Sequence, residues 1–101
     1  MDNSKRIRLE KAGWKVGSAE EFLGLSPEES AYLELKSNLA KAFSEKRKSL
    51  GLSQVAVARK LKSSQSRVAK MEAGDPSVSI DLLVKSLFAL GETVKELQQV
   101  L

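Results

Sequence analysis

Apolar residues between positions 50 and 74 fall into two short stripes at helical spacing. Val57, Ala58 and Leu61 form the first, Val68 and Met71 the second. Each stripe is preceded by a serine suited to N-cap a helix. Ser53 predicts a helix from Gln54 to about Leu61, and Ser64 one from Gln65 to about Glu72, with Gly74 placed to stop it. Upstream, Ser26-Pro27-Glu28-Glu29 combines a serine cap, proline at the first helical position and glutamates in the first turn. The spacing predicts a long helix over Pro27 to Ser49, with Tyr32, Leu35, Leu39, Ala42 and Phe43 on its buried face and Gly51 beyond its end.

Downstream, Asp75-Pro76-Ser77-Val78 reads as a loop. Ser79 then caps a helix over Ile80 to Leu90. Ile80, Leu83, Val84, Leu87 and Leu90 give it an apolar face that Leu82 and Phe88 widen, which predicts burial on more than one side. Thr93-Val94-Lys95-Glu96 has capping-box spacing and opens a last helix with Val94, Leu97, Val100 and Leu101 on one side. Five principal helices are therefore expected, starting at residues 27, 54, 65, 80 and 94. The stretch before them is less regular. Arg6 to Lys11 suits a short helix, Gly13 and Gly17 bracket an alternating Trp14-Lys15-Val16, and Ser18-Ala19-Glu20-Glu21 predicts one helical turn over Ala19 to Leu23. Residues 1–25 are read as an N-terminal extension and 26–101 as the folded domain.

A chain of 101 residues, 42% hydrophobic and 30% charged, suits one globular domain around a single core. It has no apolar run of membrane-spanning length, and no apolar core of a signal peptide follows the N-terminal charges, so a soluble cytoplasmic protein is expected. With no cysteine and no histidine, disulfides, thiolate metal sites and the commonest general base are all excluded. No carboxylate pair is placed to replace them. Neither an enzyme nor a cofactor or metal site is expected.

Charge sharpens the picture because it is unevenly spread over a net +4. From Ser18 to Leu35 there are five acids and no base, whereas Lys36 to Glu72 holds ten bases against Glu45 and Glu72, a local balance of +8. Single lysines on helices are ordinarily solvated. A cluster around two short helices is the electrostatic footprint of a nucleic-acid binder. The outward positions of the second short helix are Gln65, Ser66, Arg67 and Lys70, which carry amide, hydroxyl and cationic groups. Two short helices joined by a tight turn, the second so decorated, predict a helix-turn-helix whose second helix enters the major groove of DNA.

The run Leu52-Ser53-Gln54, Val57-Ala58 and Leu61, followed by Ser64-Gln65, Val68, Met71-Glu72 and Gly74, resembles the Xre/Cro-type repressor family over about residues 30–101. The resemblance implies an all-α, five-helix, lambda-repressor-like DNA-binding domain. The stretch from Trp14 to Ser26, with Ser64 to Asp75, is also similar to a bacterial subgroup of antitoxin regulators of the HigA type. The family resemblance implies that Gln65 and Ser66 reach base edges, with Arg67 and Lys70 further along the helix and in reach of bases or of phosphate alone. It implies phosphate contacts from Ser53, Gln54, Lys62 and Ser64. It further implies a partly buried ion pair between Arg47 and Glu72. One departure stands out. The family usually has glycine between the two motif helices, whereas this chain has Lys62, so either the turn is wider or Lys62 takes a strained backbone.

A module of this size touches few base pairs, so useful specificity calls for a homodimer on a palindromic double-stranded operator. Val94, Leu97 and Leu101 are candidates for the dimer contact. Trp14 is a candidate for a dimer or partner contact, and each of these residues has core packing as its ordinary alternative. The subgroup resemblance adds a toxin protein as partner. A stand-alone phage or host repressor, or an interaction module that has lost DNA binding, are the competing expectations.

Overall fold

The structure, a computed structural model, describes residues 24–101. The readings made for Arg6–Lys11, Trp14–Val16 and Ala19–Leu23, and the partner role of Trp14, lie outside the described residues. The described residues form α1 (Pro27–Ser49), α2 (Gln54–Lys60), α3 (Gln65–Ala73), α4 (Ile80–Ala89) and α5 (Val94–Val100). The architecture is the expected all-α, five-helix, lambda-repressor-like one.

Each start is fixed by a side chain the sequence supplies. The Ser26 hydroxyl accepts from the Glu29 amide at 3.1 Å while the Glu29 carboxylate accepts from the Ser26 amide at 3.0 Å. Ser53, Ser64 and Ser79 accept from the amides of Ala56, Arg67 and Leu82. Thr93 and Glu96 close a reciprocal box. These bonds satisfy amides that the first turn of a helix leaves unpaired.

Residues Leu35–Leu101 pack as one compact unit. Its centre is Leu39 and Phe43 from α1, Val57 from α2, Val68 and Met71 from α3, and Leu83 and Leu87 from α4, all at most 1% exposed. Burying one such side chain contributes roughly 1.5–3 kcal/mol. Phe43 is the only buried aromatic among the described residues. The face of α1 differs from expectation at its start, because Tyr32 is 49% exposed. The reason is that the helix turns its buried stripe onto Lys36, Leu39, Ala40 and Phe43, and the compact unit begins only at Leu35.

Lys36 is a charge inside that stripe, 6% exposed. Its ammonium donates to the main-chain oxygen of Asp75 at 2.9 Å, which fastens the α3–α4 loop to α1. At the other end of α1, Lys46 pairs with Glu92 at 3.6 Å and ties the helix to the α4–α5 loop. On α4 the broad apolar face is buried along Leu83, Leu87 and Leu90, half-buried at Ile80, Leu82 and Val84, and exposed at Phe88. On α5, Leu97 faces the core at 8% exposure and so is not available to a partner copy, whereas Val94 and Leu101 stay at the surface. The spacing that puts Leu97 on the same stripe as Val94 does not say which of them the domain's own core takes.

Candidate nucleic-acid interface

α2 and α3 pack on each other and are joined by a tight turn. α2 ends with the Ser63 amide donating to the Ala58 oxygen at 2.8 Å and the Lys62 amide to the Arg59 oxygen at 3.1 Å. This is a Schellman closure, whose penultimate residue is left-handed. Lys62 takes that place with φ 55, the one non-glycine residue at positive φ among the described residues. The turn is therefore not widened. It keeps the tight form and lets a lysine carry the strain. The same pair of bonds ends α3 at Gly74, where φ is 65 and strain is absent. Replacing Lys62 by glycine is expected to raise stability by about 0.5–1 kcal/mol, read as a higher thermal midpoint. If the lysine serves DNA, the same variant binds duplex more weakly, so that the two measurements move in opposite directions.

Beyond the turn, Ser64 caps α3 and leaves Gln65, Ser66, Arg67 and Lys70 exposed on one side, while Val68 and Met71 go to the core. Ser64, Ser66, Arg67 and Lys70 line one polar cleft, joined by Ser77 and Val78 of the α3–α4 loop. Ser77 was not singled out by the sequence. The Asp75-Pro76 turn brings it there, and its hydroxyl and amide hold the Asp75 carboxyl below the ordinary carboxylate range. Ser53 and Ser64 use an oxygen lone pair for their caps, so each hydroxyl hydrogen remains available to an incoming acceptor.

α3 is held at its far end by Glu72. Arg47 of α1 grips the Glu72 carboxylate with two nitrogens, Nε on one oxygen and Nη2 on the other at 3.1 Å. The third nitrogen of the guanidinium donates to the Leu52 carbonyl at 2.9 Å. Ser44 and Gln54 add hydrogen bonds to Glu72 at 3.2 and 3.3 Å. The two charged side chains are 14% and 11% exposed. Burial pushes the Glu72 carboxyl up, but the donors from Arg47, Gln54 and Ser44, with the guanidinium charge, outweigh it and leave the group below its ordinary value. The Glu72 hydrogen bond raises Arg47 above its own ordinary value. One carboxylate thus joins α1, α2 and α3. Gln54 has a role here that sequence reasoning did not anticipate, since one of its amide hydrogens is directed to Glu72 rather than outward.

The sequence model of the helix-turn-helix family matches residues 43–97, more than half of the chain. The chain belongs to the Xre/Cro-type helix-turn-helix family. This family is one of DNA-binding transcription regulators, and the matched span runs from Phe43 in α1 to Leu97 in α5, so it includes the whole Glu72 cluster and both motif helices. Among curated proteins and among solved structures, none matches the chain. No helix of the described residues is long and apolar enough to cross a membrane, and none of their acids group into a metal-ligating cluster.

Proposed function

We propose that this Xre/Cro-type protein is a repressor that binds a palindromic operator as a homodimer and reads it with the outer face of α3. The observation that carries this reading is the exposed row Gln65, Ser66, Arg67 and Lys70, which contains no acid and is held rigidly by the Glu72 cluster. Gln65 has the geometry to pair with the N6 and N7 of adenine, Ser66 can donate to or accept from a base, and Arg67 or Lys70 suits the O6 and N7 of guanine. Ser53, Ser64, Lys62 and the second amide hydrogen of Gln54 serve neighbouring phosphates and set the register. Val94 and Leu101 remain as apolar surface for a partner copy. Two half-sites about one helical turn apart then supply the specificity one module lacks.

Selection from a randomised duplex pool tests this. The expected product is an inverted repeat bound with an affinity that falls steeply between 50 and 200 mM salt, as phosphate contacts release counterions. Absence of binding even to random duplex at low salt overturns the reading. Within it, the antitoxin role rests on the resemblance of the stretch from Trp14 to Ser26, together with Ser64 to Asp75, to the HigA-type subgroup. Its test is co-purification with, and neutralisation of, the product of the adjacent gene.

A further inference from the structure

Arg67 is a wall shared by two clefts of different chemistry. On one side lies the polar cleft with Ser64, Ser66, Lys70 and Ser77. On the other, a groove of about 240 Å³ separates the α2–α3 turn from α4, and its floor is Leu61, Met71, Leu82 and Ala89. Three cations, Lys62, Arg67 and Lys85, rim that floor. Lys85 has Asp81 as its partner at 3.2 Å, but both ends are about three-quarters exposed, and a pair so hydrated yields readily to a competing anion.

Ser86 also lines the groove. It is 5% exposed. Lining the groove, its hydroxyl can pair with a polar group that enters it. The occupant must satisfy both the floor and the rim. A phosphodiester backbone would leave the partly buried Leu61 and Leu82 and the exposed Ala89 without an apolar partner, and a neutral apolar molecule would make no use of the cations. A short apolar tail ending in a carboxylate meets both requirements, and a groove of this volume, below the range usual for drug-sized ligands, restricts the occupant to a small molecule.

We propose that this groove binds a small apolar carboxylic acid in its ionised form and that occupancy draws Arg67 and Lys62 away from the duplex. The acid is then an antagonist of operator binding. This part of the proposal rests on the reading of Arg67 and Lys62 as DNA contacts. Because linkage is reciprocal, DNA weakens the acid by the same factor as the acid weakens DNA.

The test uses the full chain, with octanoate as probe, octanamide as its uncharged counterpart and acetate as the headgroup alone. Octanoate is expected to give saturable shifts in the backbone amide spectrum at Leu61, Ser63, Met71, Leu82 and Ala89, with octanamide and acetate binding at least about tenfold more weakly. Lys85→Ala, which changes no proposed DNA contact, is expected to weaken octanoate severalfold and leave operator affinity in its absence unchanged. Saturating octanoate should lower operator affinity by at least about tenfold, through loss of the Arg67 and Lys62 contacts. A chain that binds its operator but shows no saturable shift at the groove, or binds octanamide as well as octanoate, overturns the proposal and leaves the repressor reading intact. Saturable octanoate binding in a chain that binds no duplex overturns the repressor reading and the antagonism, and supports the groove as a carboxylate site.

Discussion

Glu72→Ala is expected to destabilise the protein by about 3–5 kcal/mol, because it leaves the Arg47 guanidinium buried without its counter-charge. The loss is large for a domain whose total stability is on the order of 5–15 kcal/mol. Three donors converge on this carboxylate from α1 and α2, so its removal also strands Ser44 and Gln54. Arg47→Ala should be nearly as costly, since it deprives the Leu52 carbonyl as well. Replacing both charges by apolar residues, Arg47→Met with Glu72→Leu, is expected to cost less than the two single losses added together, with a coupling of about 1–3 kcal/mol by urea denaturation. Strict additivity would show that the two side chains do not stabilise one another.

The same cluster sets an acid limit. Glu72 lies below its ordinary 4.5 in the folded protein, so the folded state binds the proton less readily than the unfolded chain. Its contribution is therefore complete above pH 4.5 and is lost as pH falls through the lower folded value. Asp75 and Glu96 are depressed too, the first by Ser77 and the second by the Thr93 amide, and both titrate in the same direction. Glu72→Gln should flatten the acid limb of a stability profile without abolishing it.

Arg67→Ala combined with Lys70→Ala is expected to lower operator affinity by at least about 100-fold while leaving the thermal midpoint within about a degree. Each good base contact contributes about 1–3 kcal/mol of discrimination, and in the proposed symmetric dimer every contact is lost twice. Both side chains are exposed and neither bears on the core, which separates recognition from folding. The single variants then sort the contacts. A residue that reads a base relaxes preference at one operator position, whereas one that meets phosphate weakens all duplexes alike and lowers the salt slope by about one per contact. Unaltered affinity in the double variant would remove α3 as the reading element.

Helix boundaries were legible because five hydroxyl side chains mark the starts and the apolar spacing marks the faces. Core membership was legible where a stripe was purely apolar, as at Leu83 and Leu87. It was less so where polar residues joined in. Lys36 looks like one more solvated base, yet it shares a face with Leu39, Ala40 and Phe43 at spacings of three, four and seven, and that periodicity was the available signal. Tyr32 shows the converse, an aromatic at helical spacing beyond the point where packing begins. The turn at Lys62 was legible as a departure but not as a choice, since strain and a longer turn fit the same letters. The Gln54–Glu72 bond joins residues eighteen apart that no local pattern connects. The apolar groove beside Arg67 depends on side chains from three separate segments, which only the packing brings together.

The Glu72 cluster has a bearing on how such a protein diversifies. By joining three helices through one carboxylate, it keeps the tilt of α3 independent of what that helix displays. Under the proposed docking, substitutions at Gln65, Ser66 and Lys70 can accumulate without re-aiming the scaffold, and a new target sequence lies a few exposed replacements away. A change at the carboxylate itself would re-aim every proposed contact at once.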